Sequence, residues 1–361
     1  MTPLPTDPPL SAAGLQALAD TLRSGRGFAH KRDISDVLTT LARALPGGAA
    51  DLAQAVAVGD DCAAIPWPGT DGQPGYLLLA IEGFVDDFVQ RLPWFAGYCG
   101  LMVNLSDIAA MGGRPIAVVD ALWSQGMHPA TEVLQGLAAA SARYGVPIVG
   151  GHSNNQSDRG QLAVAILGQA KTLLSSFNAR PGDRLLMAID LRGAYQEPQP
   201  YFNASTDAPA ARLRADLELL PRLAEAGLCD AAKDISMAGA VGTTLMLLEC
   251  SGVGGVIDVN HIPRPPGVPL QRWLQTFPSY GFVFSVRPHR ADAVLAHFAD
   301  CGISSAVVGE VTAAPQVLLR DGSATALLWD VAADAFIGVR GPESALAPAA
   351  PTAPKPAAGH G

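Results

Sequence analysis

The chain is poor in charged residues and has no long hydrophobic run. Of its 361 residues only 16% are charged, and 24 Lys and Arg stand against 33 Asp and Glu, a net charge of −9. A nucleic-acid-binding protein normally presents a basic face, so this balance argues against such a partner. No apolar run approaches the ~20 residues of a membrane span, and the first residues lack the basic and apolar regions of a signal peptide. We therefore expect a cytoplasmic protein without a membrane partner.

Several other signals are absent. The five cysteines are scattered, odd in number and include no C-x-x-C pair, a pattern typical of reduced thiols rather than of a disulfide framework or a zinc site. No glycine-rich segment fits G-x-x-x-x-G-K-[ST], and none is a convincing G-x-G-x-x-G after a strand, so the common nucleotide-binding folds are disfavoured. The 49% of hydrophobic residues excludes a chain that is disordered throughout.

The length and the order of elements indicate two domains. A chain of 361 residues exceeds what one hydrophobic core usually serves. Apolar strand-like runs alternate with helical stretches in both halves, which favours an α+β fold over a doubly wound parallel sheet. We predict four segments: an N-terminal arm with helices over 1–50, a first domain over 51–170, a second domain over 171–340 and a disordered Pro/Ala tail over 341–361.

Hydrophobic periodicity and turn residues predict the main elements of each half. In the first half we expect strands over 76–84, 115–123, 146–151 and 161–168, and helices over 93–113 and 130–145. In the second half we expect helices over 212–227 and 234–252, so that Asp234 opens a helix. Residues 24–33, which are basic and contain two glycines, are expected to form a loop.

Acidic side chains at the ends of apolar elements suggest a cation site. Asp60 and Asp61 are adjacent, and two neighbouring carboxylates are costly to bury unless a cation neutralises them. Taken alone, this pair fits a solvated turn better. The further acidic residues favour a cation site over a solvated turn, because carboxylate oxygens are the ligands that Mg²⁺ prefers. The candidates are Asp60, Asp61, Glu82, Asp107 and Asp234, with Asn104 one helical turn before Asp107.

Glycine-rich turns at 112–113 and 150–153 are candidates for holding phosphate groups. Exposed backbone N–H groups in such turns can bind phosphate oxygens, although a glycine-rich turn is most often only a turn. His152 fits a phosphate or substrate contact as well as a structural hydrogen bond. Lys31 either reaches a phosphate as part of a mobile arm or belongs to a solvated basic loop.

The order of these motifs resembles that of the aminoimidazole ribonucleotide (AIR) synthase superfamily. The matching segments are G-D-D-x-A-x-I, E-G-F, N-L-S-D-I-A-A-M-G-G-R-P, V-G-G-H-S and A-R-P-G-D, between about 55 and 310. That superfamily includes thiamine-monophosphate kinase, selenophosphate synthetase and a hydrogenase-maturation dehydratase, and the chain is most similar to its AIR synthase-related branch. The resemblance implies a two-domain PurM-like fold, with an N-terminal sheet-and-helix domain that pairs in a homodimer and a C-terminal α/β sandwich domain.

The resemblance also implies Mg²⁺ and ATP as cofactors. It places the metal at Asp60, Asp61, Glu82, Asp107 and Asp234. The nucleotide is expected at Asn104, Gly112, Gly113, Gly150, Gly151, His152 and Ser153. Asp60 and Asp107 are the expected catalytic residues, and Lys31 is added to them as the candidate for a phosphate contact.

Departures from the superfamily's patterns lie in the second half. Met237 stands where the kinases carry a second Asp, the segment 190–206 is longer and more polar than usual, and residues 24–33 lack the reactive cysteine of the selenophosphate enzymes. We expect a kinase- or synthase-type phosphoryl transferase that uses ATP and an unidentified small-molecule acceptor. The alternative is a nucleotide-binding regulatory or partner protein that has lost turnover.

Overall fold

The structure is a computed structural model, and it describes residues 8–45, 58–69, 72–84 and 86–339. The tail predicted over 341–361 lies outside the described residues. The fold is α+β, with two large sheets and ten α-helices in the described part of the chain. The helices are α1 (Ala12–Ser24), α2 (Arg26–Ala44), α3 (Asp86–Arg91), α4 (Pro93–Ala110), α5 (Met127–Tyr144), α6 (Ala210–Leu217), α7 (Leu219–Glu225), α8 (Gly239–Cys250), α9 (Leu270–Leu274) and α10 (Ala291–Ala299).

The first sheet has five strands in the order β1-β2-β5-β3-β4. Its pairs are antiparallel except β3 with β4, which are parallel and joined through α5. The antiparallel majority confirms the expectation of an α+β arrangement rather than a doubly wound sheet. The strands are β1 (Ala63–Pro68), β2 (Pro74–Phe84), β3 (Arg114–Gln125), β4 (Ile148–Asn154) and β5 (Gln156–Ala170).

Helices α4 and α5 cover one face of this sheet. Along β5 the residues Leu162, Val164 and Ile166 alternate inward and are buried beneath α4, as the period of a strand requires. The two helices approach closely because Gly97 and Gly136 have no side chain. A Cβ atom added at either position would come within 1.9 Å or 1.8 Å of a carbonyl oxygen on the opposite helix. The opposite face of the sheet carries no helix within the described residues.

The second sheet has seven strands in the order β15-β14-β10-β13-β6-β12-β9 and lies between two helical layers. Residues of β6 alternate between two cores: Leu185 and Met187 lie in the core that contains α1 and α8, whereas Leu186 and Ala188 lie in the core that contains α7 and α10. The strands are β6 (Arg184–Ile189), β9 (Ala231–Asp234), β10 (Gly254–Asp258), β12 (Gly281–Val286), β13 (Ser304–Thr312), β14 (Gln316–Asp321) and β15 (Ala324–Asp330).

The segment expected to differ from the superfamily forms part of a small third sheet. Strands β7 (Ala194–Tyr195) and β8 (Tyr201–Asn203) pair with each other, and β8 also pairs with β11 (Phe277–Pro278). This sheet places residues 199–203 beside the first half of the chain, where they line a cavity.

Three predictions of local structure were wrong. Asp234 ends strand β9 instead of opening a helix, because residues 231–234 pair with β12, and α8 begins only at Gly239, whose φ is +69°. The helix predicted over 212–227 is broken at Glu218 into α6 and α7. Residues 26–33 belong to helix α2 rather than to a loop, since Phe28 anchors that helix against Trp329 and Phe336.

Two predictions from composition can be compared with the structure. No helix in the described segments is long and apolar enough to cross a membrane. The five cysteines are all free, as their spacing predicts.

Candidate functional site

Three carboxylates from distant parts of the chain meet where helix α4 of the first half contacts strand β9 of the second sheet. Asp61 precedes β1, Asp107 lies in the last turns of α4, and Asp234 ends β9. One carboxylate oxygen from each lies within 4.8 Å of the other two. The three side chains are only 5–7% exposed. Oxygen donors that converge this closely match the coordination chemistry of a hard divalent cation such as Mg²⁺.

The electrostatics of this carboxylate cluster favour a cation. Burial raises the pKa of Asp107 well above its usual range, and the nearby charges of Asp234, Glu82 and Asp61 raise it further. Burial and then the Asp61 carboxylate raise the pKa of Asp234 to about 8. Without a cation, ionisation of these carboxyl groups is therefore energetically unfavourable. A bound cation would stabilise their ionised forms.

Lys233 is a member of the site that the sequence analysis missed. Its buried ammonium group forms an ion pair with Asp61 Oδ1, while the backbone N–H of Asp234 donates to Asp61 Oδ2 over 3.1 Å. Burial lowers the pKa of Lys233, but the Asp61 and Asp60 carboxylates outweigh this effect and hold the pKa above its usual value. The sequence did contain a signal for this role, because Lys233 follows two alanines in the short strand A-A-K-D. A lysine is almost never fully buried without a partner.

The structure places Asp60 outside the carboxylate cluster. Its two carboxylate oxygens accept hydrogen bonds from the Ser175 hydroxyl at 2.7 Å, the Ser176 hydroxyl at 2.5 Å and the Ser176 N–H at 3.0 Å. Burial raises the pKa of Asp60, and the Lys233 charge and these hydrogen bonds oppose that rise. Asp60 thus connects the start of the first sheet to the segment that leads into the second.

Glu82 and Lys31 lie at the margin of the cluster. Glu82 is half-buried near the end of β2, and burial raises its pKa while the charge of Lys31 lowers it. Lys31 is half-buried in α2, and its charge also lowers the pKa of Asp234. Lys31 therefore belongs neither to a mobile arm nor to a solvated loop. It lies in a helix, and its charge acts on the acidic site.

Asn104 and the turn Gly112-Gly113 occupy the core rather than a phosphate-binding surface. The amide of Asn104 is fully buried and donates to the carbonyl oxygens of Gly100 and Val164. The N–H groups of Gly112 and Gly113 already donate to carbonyls at the end of α4. At Gly113 a Cβ atom would lie 2.2 Å from Leu78, so close packing explains this glycine. Because both N–H groups are already hydrogen-bonded, the turn does not have the free donors that the expected phosphate site requires.

Gly150 and Gly151 lie in a strand, as predicted over 146–151, but the strand continues through His152 and Ser153, where a turn was expected. This strand is β4, which forms an edge of the five-stranded sheet and pairs on one side with β3. All residues of β4 are exposed. Among the described residues no strand pairs with its outer edge, so that edge is available to a ligand or to another chain.

A cavity of about 270 Å³ lies between β2, α4 and the small third sheet. Helix α4 contributes to both this cavity and the carboxylate cluster, because Cys99 and Val103 line the cavity and Asp107 follows at the same four-residue spacing on one helix face. Glu82 and Met237 also line the cavity, and residues 199–203 of the extended segment form part of its wall. The segment expected to lie at a substrate site therefore borders this cavity.

Comparison with protein-family models gives two matches along the chain. The model described as "AIR synthase related protein, N-terminal domain" matches residues 59–170, and that described as "AIR synthase related protein, C-terminal domain" matches residues 193–321. Among curated proteins, an uncharacterized protein of Synechocystis sp., sll0787, is 44% identical over 321 residues, which cover 89% of this chain and 97% of that protein. A thiamine-monophosphate kinase of Rhodopirellula baltica is 26% identical over 281 residues, covering 71% and 83% of the two chains.

Solved structures share the fold at low sequence identity. The T. maritima PurL complexed with AMPPCP matches with a TM-score of 0.64 at 19% identity, and the match covers 92% of this chain but only 52% of that one. AaThiL complexed with AMPPCP and TMP matches with a TM-score of 0.58 at 18% identity, over 76% and 92% of the two chains. With both family models matched and a 44% identical relative covered almost end to end, the chain belongs to the AIR synthase-related family.

Proposed function

We propose that this protein is a Mg²⁺-dependent, ATP-binding enzyme that transfers phosphate to a small metabolite or activates it with phosphate. The observation that carries the proposal is the carboxylate cluster of Asp61, Asp107 and Asp234, whose oxygens converge within 4.8 Å in a buried setting. Two proteins of similar fold, T. maritima PurL and AaThiL, are known in complex with AMPPCP, and this nucleotide ligand supports the proposal.

The chain's own residues would act mainly by positioning and charge. Mg²⁺ held by Asp61, Asp107 and Asp234 would neutralise phosphate oxygens. Lys233 fixes the orientation of Asp61 through their ion pair, and Lys31 supplies a positive charge at the margin of the cluster for a phosphate group. Phosphoryl transfer needs little covalent chemistry from the protein, so no nucleophilic side chain is assigned.

The protein is further proposed to act as a homodimer that pairs through the open face of the five-stranded sheet. Ile81 on β2 is 68% exposed and Trp67 on β1 is 54% exposed, both on this face. Contiguous apolar surfaces of this kind mark interaction sites in soluble proteins. The exposed apolar side chains on it are Ile65, Trp67, Leu79, Ile81, Val119 and Leu167.

The central experiment measures binding of Mg·ATP and release of ADP by the purified full-length protein. We expect ATP to raise the thermal unfolding temperature only with Mg²⁺ present, and a panel of small hydroxyl-bearing metabolites to stimulate ADP release. Asp107→Asn should abolish both responses, whereas Asp87→Asn, at an exposed carboxylate paired with Arg91, should leave both unchanged. A Mg·ATP shift without ADP release for any acceptor would favour the regulatory alternative. No Mg·ATP shift at all would refute the proposal.

A further inference from the structure

Five aromatic side chains in mutual contact form part of the cavity wall. The ring of Phe88 lies 5.2 Å from that of Tyr201, 6.0 Å from that of Phe84 and 6.1 Å from that of Phe95, measured between centroids. Tyr201 in turn lies 6.5 Å from Phe277. These five aromatic side chains come from β2, α3, α4, β8 and β11, so both halves of the chain build the wall.

The charge in the cavity wall is sparse. Among the described residues that line it, Arg26 is the single cation and Glu82 the single anion. The Arg26 guanidinium donates through Nε to His30 Nε2 over 3.0 Å, so part of its hydrogen-bonding capacity is already used. A phosphorylated ligand would lose its hydration here with one described cation to replace the water, whereas the neutral side chains of Gln199, Asn203, Gln275 and Ser279 can hydrogen-bond an uncharged ligand. An apolar ring would be stabilised here, because its surface leaves water.

The position of the cavity relative to the carboxylates indicates how a bound molecule would be oriented. Val103 lines the cavity, and Asp107 follows it by one turn on the same face of α4. Met237 also lines the cavity, three residues beyond Asp234. One end of a bound molecule therefore faces the carboxylates, whereas its body lies among aromatic rings.

We propose that this cavity binds the acceptor substrate, and that the acceptor has an uncharged, ring-bearing apolar body with its reactive hydroxyl at the end near Val103 and Met237. The chemical part of this inference rests on the proposed function. In the transfer, the bond from the γ-phosphorus to the β,γ-bridging oxygen breaks, and a bond forms from the phosphorus to the acceptor oxygen. ADP leaves with the electron pair, and the hydroxyl proton passes to water.

Binding of the uncharged fluorescent probe prodan, a substituted naphthalene, tests the cavity without any turnover. We expect saturable binding with a blue-shifted emission, and at least tenfold weaker binding by Met237→Trp, which fills the cavity from a position that is 42% exposed. Phe84→Ala should weaken binding in the same direction by removing one ring of the wall. The matched control is Leu327→Ser, at a 41% exposed apolar side chain on β15 that does not line the cavity, and it should bind prodan like the wild type. Ile81→Ser, on the opposite face of the first sheet, tests that open face as an alternative site for the probe.

Competition defines the class of ligand. 2-Naphthalenemethanol should displace prodan, whereas ribose 5-phosphate at equal concentration should not. Equal displacement by ribose 5-phosphate, or prodan binding that neither Met237→Trp nor Phe84→Ala weakens, would overturn the inference. Weaker binding by Ile81→Ser alone would place the probe on the open sheet face and would overturn it too.

Thermal shifts with Mg·ATP on the same variants separate this inference from the proposed function. Met237→Trp should lose prodan binding and keep the Mg·ATP shift, whereas Asp107→Asn should keep prodan binding and lose the Mg·ATP shift. A protein that binds prodan as described but never responds to Mg·ATP would refute the proposed function and the acceptor role, while the specificity of the cavity for uncharged rings would be supported.

Discussion

Replacing Asp107 by Asn should stabilise the metal-free protein and at the same time remove its response to Mg²⁺. The substitution keeps the size and shape of the side chain and removes one of three charges whose oxygens lie within 4.8 Å of one another. A residue retained only for packing would not give this pair of effects. The combination is typical of ligands that are held in a repulsive arrangement until a cation binds.

The magnitude follows from the geometry. Two unit charges 4.8 Å apart repel by about 3.5 kcal/mol at an effective dielectric constant of about 20. The raised pKa values of Asp107 and Asp234 mean that the native protein avoids part of this repulsion by binding protons. At pH 8 we therefore expect a gain of about 1–3 kcal/mol in the free energy of unfolding. For a chain of this size, that gain corresponds to a rise of several degrees in Tm.

The assay is thermal unfolding at pH 8, first in EDTA and then in a Mg²⁺ series. Mg²⁺ at 100 times its Kd should stabilise the wild type by about 2.7 kcal/mol and Asp107→Asn hardly at all. The control Asp87→Asn removes an exposed charge far from the cluster and should behave like the wild type in both series. An Asp107→Asn protein that is less stable than the wild type in EDTA, and yet keeps the full Mg²⁺ response, would refute the reasoning.

Four further outcomes follow from the same structure. Lys233→Gln should destabilise the protein by about 3–5 kcal/mol in urea unfolding, because it leaves Asp61 buried without its partner; an unchanged midpoint would contradict this. In EDTA the free energy of unfolding should fall as pH rises from about 4 to about 8, since the folded state holds a proton on Asp234 that the unfolded state releases, and Asp234→Asn should flatten this slope. Ile81→Glu should convert a dimer into a monomer of 37.3 kDa by light scattering, whereas a wild type that is already monomeric would remove the basis for dimer formation. With Met237 in place of a carboxylate, thiamine monophosphate should not be phosphorylated at ordinary kinase rates of about 1 s⁻¹ or faster, and thiamine diphosphate formed at such rates would contradict this.

Much of the fold could be predicted because its strands and long helices carry clear local signals. The runs at 76–84 and 161–168 are strands, and the helix expected over 93–113 is α4, which ends at the double glycine. The predictions failed where tertiary pairing decides the conformation. Residues 231–234 form a strand only because β12 lies beside them. The domain boundaries near 50, 170 and 340 stay predictions.

The candidate site was only partly visible in the sequence. Three of the five expected metal ligands, Asp61, Asp107 and Asp234, do converge in space. The glycine-rich signals were misleading, because a glycine selected for close packing, such as Gly113, has the same sequence appearance as one that leaves an N–H group open. Lys233 was missed, because whether a lysine is solvated or buried against a carboxylate depends on contacts that the local pattern does not encode.

The arrangement of the cluster explains why no short motif could reveal it. Asp61 and Asp234 are 173 positions apart, yet the side chain of one accepts the backbone N–H of the other. The first half supplies Asp107, the second half supplies Lys233, and Asp60 ties the start of the first sheet to Ser175 and Ser176. A cation at this junction would bind both halves at once. Ligand binding and the packing of α4 against β9 are therefore expected to be thermodynamically linked, and a substitution in the cluster should alter both.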